Sequence, residues 1–82
     1  MKANELTVKI LLANGFKESE NEVYECFLQA YYMLCMYYNY LERRWSVWYL
    51  GDKGKRHLGY CKTVEQLNEL LQKNNIDKQI EL

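Results

Sequence analysis

The sequence predicts a single α+β domain over residues 1–82, in which a small antiparallel sheet of three to four strands carries an N-terminal and a C-terminal helix on one face. Three observations support this prediction. A chain of 82 residues has the length of one small domain. With 49% apolar residues and equal numbers of acidic and basic side chains, its composition is that of a folded globule. Amphipathic helix patterns lie near both ends, and strand-like aromatic segments lie between them.

The first helix is predicted over residues 5–14. Asn4 is a favourable N-cap, and Asn14-Gly15 is a common left-handed helix terminus. The apolar Phe16 directly follows this terminus and is placed to fold back on the helix. Residues 17–22 are polar and predict a connecting loop, although Ser19 and Glu22 also have the spacing of a helix capping box.

Residues 23–43 permit two interpretations. No Gly, Pro, Asn, Asp or Ser lies between Val23 and Tyr38, which favours a long helix over residues 20–43 and an ααββα order. The many tyrosines and the flanking cysteines favour two strands instead, over residues 23–28 and 31–38, joined by a tight turn at Gln29-Ala30. We expect the two strands.

The rest of the chain predicts a hairpin followed by a helix. Residues 44–50 and 56–62 are the strands, with Lys53-Gly54 as a two-residue loop. This loop would place three pairs opposite each other: Tyr49 with Leu58, Val47 with Tyr60, and Trp48 with Gly59. Thr63 and Gln66 then form a capping box, and an apolar stripe of Val64, Leu67, Leu70 and Leu71 continues to Asn74-Asn75.

No motif in the sequence predicts catalysis or metal binding. His57 is the only histidine, and the nearest thiol, Cys61, would share its strand face at a distance of roughly 13 Å, beyond hydrogen-bonding reach. Cys26 or Cys35 could still lie opposite His57 in the sheet. Three cysteines without a C-x-x-C pair predict buried thiols rather than disulfides or a zinc site. We therefore expect no enzyme activity, no catalytic residue, no cofactor and no metal.

The sequence also predicts a cytoplasmic protein without a membrane segment. Met1 and Lys2 are not followed by an apolar signal core. The longest uncharged run, residues 26–41, is shorter than the roughly 20 residues that a spanning helix needs.

Charge is unevenly distributed along the chain. Residues 43–62 contain six basic residues against one acid, and four aromatic rings are interleaved with them. Cations mixed with flat rings suit phosphates and unpaired bases, so this hairpin is the predicted nucleic-acid contact. Its candidate residues are Arg43, Arg44, Trp48, Lys53, Lys55, Arg56 and Lys62. Alternatively, the lysines only protect a sheet edge and the tryptophans only fill the core, or the acids at positions 18, 20, 22 and 25 pair with these cations.

A second hypothesis comes from the tyrosines. Two short helices cover one sheet face, which would leave the other face partly in water. A protein-interaction or inhibitor module, of the accessory type found on mobile elements, could dock or form a homodimer through such a face. The candidate interface residues are Tyr31, Tyr32, Tyr37, Tyr38 and Tyr40.

The segments RWSVWY at 44–49, GKRHLGY at 54–60 and KTVEQL at 62–67 resemble the ββα portion of AP2-like and phage-integrase arm-type DNA-binding domains. The resemblance implies a three-stranded sheet that packs on a helix and enters the major groove of DNA. It covers about a third of the chain. The strand that precedes the hairpin is commonly arginine-rich in that family, whereas residues 31–38 here are tyrosine-rich, so no base-reading arginine stands there. The leading prediction is a small non-enzymatic binding module that contacts nucleic acid through the basic aromatic hairpin.

Overall fold

The computed structural model describes residues 4–29 and 32–82. Its elements are α1 (Val8–Ala13), β1 (Lys17–Glu20), β2 (Val23–Gln29), β3 (Tyr32–Asn39), β4 (Arg44–Gly51), β5 (Gly54–Cys61) and α2 (Val64–Lys73). The strands form one antiparallel sheet in the order β1-β2-β3-β4-β5, so each strand pairs with its neighbour in sequence. The α+β class is confirmed, but the sheet has five strands rather than three to four.

The two-strand interpretation of residues 23–38 is confirmed, and the long helix over residues 20–43 is wrong. Burial alternates along β2, where Tyr24 and Cys26 are buried and Phe27 is exposed. This period of two belongs to a strand with one covered face. The predicted turn at Gln29-Ala30 falls on Ala30, which lies outside the described residues.

The extra strand is β1, where the sequence predicts a loop. All four of its residues are exposed, and it pairs with β2 through Lys17 and Glu18. The turn after it contains Glu22 at φ 62. A short charged edge strand has no apolar alternation, because it protects the sheet edge rather than filling the core. Its sequence therefore resembles that of a polar loop.

The first helix is shorter than predicted, and Asn4 does not cap it. Thr7 is the N-cap, since its side chain accepts a hydrogen bond from Ile10 N at 3.3 Å. Asn4 instead binds the start of α2: its backbone N and its Nδ2 donate to the two carboxylate oxygens of Glu65, at 3.0 and 2.8 Å. The predicted C-terminus is confirmed, with Gly15 at φ 90 and Phe16 buried.

The second helix begins as predicted, because Thr63 Oγ1 accepts from Gln66 N at 3.0 Å. The Gln66 side chain accepts from Lys62 N at 2.7 Å. Of the predicted apolar stripe, Val64, Leu67 and Leu71 are buried.

The predicted hairpin register is wrong. Gly51 pairs with Gly54, so the loop is Asp52-Lys53, and Tyr49 lies opposite Arg56. The register then shifts between Val47 and Trp48, where the partners are Gly59 and His57, and Leu58 is the extra residue of a β-bulge.

Because of the bulge, the residues of β5 beyond it point to the opposite sheet face from the one that simple alternation predicts. Trp48 pairs with His57 on one face, whereas the buried Trp45 pairs with the buried Cys61 on the other. His57 and Cys61 therefore do not share a face, contrary to the prediction from simple alternation.

Both helices pack on the same side of the sheet, which we call the covered face. One cluster joins Leu11 of α1 and Leu67 of α2 to strand residues such as Leu34, Met36 and Val47. The other side, the open face, carries no helix among the described residues. Its strand residues are Lys17, Glu20, Val23, Glu25, Phe27, Met33, Cys35, Tyr37, Asn39, Arg44, Ser46, Trp48, Leu50, Lys55, His57 and Tyr60.

Candidate nucleic-acid interface

The structure divides the seven predicted nucleic-acid-binding residues into two groups. Lys53, Lys55 and Arg56 lie at the turn end of the β4–β5 hairpin, and Arg43, Arg44 and Lys62 lie at its other end. Strands of this length separate the two groups by roughly 20 Å. Trp48 lies between them on the open face. The predicted residues therefore do not form one continuous patch.

The turn end contains a cleft with an aromatic wall, which we call the tyrosine cleft. Its volume is about 360 Å³. Its lining residues are Tyr32, Tyr49, Gly51, Asp52, Lys53, Gly54, Lys55 and Arg56. Three cations and one acid thus surround two aromatic rings.

The aromatic wall is a stacked tyrosine pair. The rings of Tyr32 and Tyr49 lie 5.9 Å apart between centroids and are tilted by only 15°. Gly51 lies beneath them, and a Cβ there would come within 3.1 Å of Tyr49 Cε1 and 3.2 Å of Tyr32 Cδ1. The two rings can approach the backbone because this position has no side chain. The Tyr32 hydroxyl donates to Asp52 Oδ2 at 2.9 Å, and this bond raises the pKa of Tyr32.

The cations at the turn point in different directions. The Arg56 guanidinium lies over the Tyr49 ring, with its Cζ 5.7 Å from the centroid. Lys53 is exposed in the turn. The Lys55 ammonium lies instead on the open face, 4.8 Å from the centre of the Trp48 ring. Lys53 and Arg56 are therefore the two cations best placed to act together at the tyrosine cleft.

A second cleft lies on the other side of the tyrosine pair, with a volume of about 410 Å³. Both rings line it, together with Phe27 and Lys78. Lys78 is not among the predicted site residues, because it lies in a polar tail with no local sequence signal that brings it beside the hairpin turn. Only the tertiary fold places this cation near the rings.

The other end of the hairpin is more neutral than the sequence suggests. Arg44 forms an ion pair with Glu42, and its Nε donates to Glu42 Oε1 at 2.7 Å. Its guanidinium also lies 3.6 Å from the Tyr60 ring centre. Arg43 and Lys62 line a smaller cleft of about 160 Å³. The acids of β1 and β2 do not pair with these arginines within the described ranges, since Arg44–Glu42 is the ion pair found there.

A serine and the histidine meet on the open face, which the sequence analysis did not anticipate. Ser46 Oγ lies 3.0 Å from His57 Nε2 and also accepts from Trp48 Nε1 at 3.0 Å. Ser46 is only 1% exposed, so a substrate cannot reach its hydroxyl. Among the described residues no carboxylate binds the His57 ring to orient it as a base. This geometry does not supply a nucleophile, and the three groups act as mutual hydrogen-bond partners.

The five predicted interface tyrosines do not lie on one surface. Tyr31 lies outside the described residues. Tyr32 and Tyr38 are on the covered side, where Tyr38 packs against Trp45 with centroids 5.4 Å apart. Tyr37 is on the open face opposite Ser46, and Tyr40 lies beyond β3, where its hydroxyl donates to Glu22.

The three cysteines are free and buried. Burial raises the pKa of the Cys61 thiol to about 12, so this thiol is unreactive at neutral pH. In the part of the chain that the structure describes, no group of three or more metal-ligating side chains lies close enough to hold an ion. None of the helices within residues 4–29 and 32–82 has the length and apolar character to cross a membrane.

Comparison with known proteins finds no match: no family model, no curated protein and no solved structure is significantly similar to this chain. The resemblance of residues 44–67 to AP2-like and integrase arm-type domains therefore stays a resemblance. The candidate interface is defined by the geometry of the tyrosine cleft alone.

Proposed function

We propose that this protein is a non-enzymatic nucleic-acid-binding module that holds a single strand at the turn end of the β4–β5 hairpin. One observation carries the proposal: the stacked rings of Tyr32 and Tyr49 line the same cleft as Lys53 and Arg56. Aromatic rings stack on unpaired bases, and neighbouring cations neutralise the phosphates.

The shape of the cleft favours a single strand over a duplex. Bases inside a duplex stack on each other and offer only their edges to a protein, whereas unpaired bases expose the flat faces that tyrosine rings contact. The tyrosine pair is a wall shared by two clefts, and Lys78 lines the second one. A strand that stacks on this wall thus meets cations on both sides.

The direct test is the fluorescence anisotropy of labelled single-stranded and duplex oligonucleotides, titrated with the protein at two salt concentrations. If three phosphates are contacted, affinity for the single strand falls about twentyfold between about 50 and 200 mM salt. We expect tighter binding to the single strand than to the duplex. Equal affinity for both, or affinity that does not respond to salt, contradicts the proposal.

Charge-reversal variants test where the strand binds. The double variant Lys53→Glu with Arg56→Glu removes the two cations at the cleft and should abolish measurable binding. The matched control is Lys9→Glu with Lys17→Glu, which changes the net charge equally at exposed positions of α1 and β1 that line neither cleft. An equal loss in both variants would indicate a non-specific charge effect and would exclude the cleft as the site.

A ring variant separates stacking from charge. Tyr32→Leu keeps an apolar side chain over Gly51 but removes the stacked ring, and it should weaken single-strand binding about tenfold, since stacking contributes roughly 1–3 kcal/mol per base. Its salt dependence should stay that of the wild type, because the phosphate contacts are retained.

The second hypothesis, a protein-interaction module, is supported by a different surface. The tyrosines are divided between the two faces, so a docking surface would use the open face and not a tyrosine face. On that face Phe27 is 76% exposed.

A further inference from the structure

The open face is an apolar surface that no element of the described chain covers. Besides Phe27, it exposes Tyr37 and Tyr60 by 37% and 40%, and Met33 and Leu50 are also partly exposed. Contiguous apolar surfaces of this kind are rare on soluble monomers and mark interaction sites.

Strand pairing arranges the open face in rows that cross the sheet, with β3 in the middle of the five strands. One row reads, from β1 to β5, Lys17, Glu25, Cys35, Trp48 and His57. The next row reads Glu20, Val23, Tyr37, Ser46 and Tyr60. A third contains Phe27, Met33, Leu50 and Lys55, from β2 to β5.

Four charges of the open face are placed symmetrically about β3, with opposite signs on its two sides. The Lys55 ammonium lies over Trp48 on β4, whereas Glu25 occupies the same row on β2. The Arg44 guanidinium lies over Tyr60 on β5, whereas Glu20 occupies the same row on β1. Lys55 and Arg44 thus each have an acid at the same distance on the other side of β3, whereas Lys17 on β1 has His57 as its counterpart on β5.

The pKa of the Cys35 thiol, at the centre of the open face, is affected by charges on both sides of β3. Burial raises its pKa, the nearby Lys55 opposes this shift, and Glu25 and Glu20 add to it. The acids and the lysine therefore lie within electrostatic reach of the same central point.

We propose that a second copy of this chain covers the open face, related to the first by a two-fold axis that runs parallel to the strands over β3. Such an axis reverses the strand order of the second sheet, so β4 of one copy lies over β2 of the other and β5 lies over β1. Lys55 then meets Glu25, Arg44 meets Glu20, and Phe27 meets Leu50. Each of these three contacts occurs twice, as a two-fold interface requires for contacts away from its axis.

Other arrangements lack this complementarity. A two-fold axis perpendicular to the strands would place β4 over β4 and β5 over β5, so that the side of the face that carries Lys55 and Arg44 would meet the same side of the other copy. Pairing through the sheet edges would bring together β1 or β5, whose exposed charged residues protect those edges against strand addition. The face-to-face arrangement is also the usual geometry of two packed sheets, about 10 Å apart.

The available area suffices for a dimer. Five strands about 4.8 Å apart, with about seven residues each at about 3.3 Å, span roughly 500 Å² per copy. Two copies together bury about 1,000 Å², which is at the lower limit of specific interfaces. We therefore expect a reversible dimer in the micromolar range.

The dimer does not depend on nucleic-acid binding. The tyrosine cleft lies on the covered side of the sheet and stays accessible, and the symmetry axis leaves both hairpin turns at the same end of the dimer. Oligomeric state is measured without nucleic acid, so the failure of either proposal leaves the other intact.

The decisive experiment combines two charge reversals with light scattering after size exclusion, and with sedimentation equilibrium to obtain the dissociation constant. Glu25→Lys sets a second lysine against Lys55, and Lys55→Glu sets a second glutamate against Glu25. Each variant alone should dimerise about tenfold more weakly than the wild type, because like charges then face each other. Mixed in equal amounts, the two variants should associate more tightly than either does alone. In a dimer of one variant, both contacts between positions 25 and 55 join like charges, whereas in the mixed dimer both join a lysine to a glutamate.

Three outcomes overturn the proposal. The first is a wild-type protein that stays at the monomer mass of 9.9 kDa at about 100 μM, and the second is a mixture of the two variants that associates no better than either variant alone. The third is a control variant, Glu69→Lys on the exposed side of α2, that weakens dimerisation as much as the two charge reversals do. Wild-type protein that stays monomeric would instead indicate that a different protein covers the face.

Cross-linking with a short bifunctional thiol reagent tests the position of the axis even if the charge variants fold poorly. Cys35 also lies on β3, so both cross-linking variants carry Cys35→Ser to remove the native thiol. A cysteine introduced by Tyr37→Cys on β3 would face its own counterpart across about 10 Å, which is too far for a disulfide but within the span of a short bifunctional maleimide, so this reagent should yield a cross-linked dimer. A cysteine introduced by Phe27→Cys is more exposed but faces Leu50, and it should cross-link more slowly. Faster cross-linking of the Phe27→Cys variant would contradict an axis over β3.

Discussion

The two faces of the sheet differ less in composition than in what covers them. Along β3, Leu34 and Met36 point to the covered face and are 0% exposed, whereas Met33 and Tyr37 point to the open face and are partly exposed. All four side chains are apolar or aromatic. Which face becomes the core is therefore decided by the position of α1 and α2 and not by the amino acids of the strand.

The two tryptophans illustrate the same difference. Trp45 is buried on the covered face, and its Nε1 donates at 3.2 Å to the backbone oxygen of Leu6, which precedes α1. Trp48, three residues later on the open face, donates to Ser46 of its own strand. One indole connects the sheet to the N-terminal segment, and the other lies along the sheet surface.

Truncation of one leucine on each face should give the largest contrast in stability. Leu34→Ala creates a cavity in the covered core and should lower the free energy of unfolding by about 2–5 kcal/mol. Leu50→Ala removes the same atoms from the neighbouring strand on the open face and should cost about 1 kcal/mol or less in the monomer. Urea denaturation monitored by tryptophan fluorescence measures both, and equal losses would show that the open face is part of the core.

The β-bulge determines which residues of β5 lie on each face of the sheet, and the backbone conformation next to it is adopted by Gly59. Gly59 has φ 150, and a Cβ there would come within 3.0 Å of Leu70 Cδ2. Gly59→Ala should lower the free energy of unfolding by about 1–3 kcal/mol, because a strained backbone and a crowded contact coincide. Thermal denaturation followed by circular dichroism measures the loss. The matched control is Gly54→Ala, which has φ 99 but no neighbouring atom within 4 Å, so it reports backbone strain alone.

The smallest expected effect concerns the hydrogen bonds that connect Asn4, in the N-terminal segment, to Glu65 of α2. Hydrogen bonds from Asn4 lower the pKa of Glu65, so the carboxylate form is the one that stabilises the fold. This stabilisation is complete above the ordinary glutamate pKa and is lost as the pH falls through the lowered value. Glu65→Gln should therefore be less stable than the wild type at neutral pH, and the difference should shrink in acid. A difference that grows as the pH falls would contradict this assignment.

Much of the fold could be predicted from consecutive residues. The strands β2 to β5 and the capping box of Thr63 follow from alternation and turn chemistry within a few positions. β1 could not be predicted, since a charged edge strand and a polar loop have the same local composition. Asn4 was assigned to the wrong helix, because its partner Glu65 is distant in sequence.

The candidate site was predicted only in outline. The basic, aromatic character of the hairpin was evident in the sequence, and Lys53 and Arg56 do lie at one cleft. The rings that line this cleft are the stacked pair of Tyr32 and Tyr49, which come from different strands, whereas Trp48 lies on the open face. No local pattern identifies such a pair, because it depends on strand register and on the absence of a side chain at Gly51.

The sequence by itself determined the strands β2 to β5 and the two helices, because turn, cap and alternation signals depend on neighbouring residues. The tertiary structure decided which side of each strand is buried and which cations and rings meet. The bulge at Leu58 places His57 opposite Trp48, and Cys61 beside Trp45, although simple alternation puts both on one face. The physical reason is that strand register, and the sheet face to which each side chain points, arise from contacts between residues far apart in the chain, such as Gly59 with Leu70. A single extra residue in a strand moves every side chain beyond it to the opposite face.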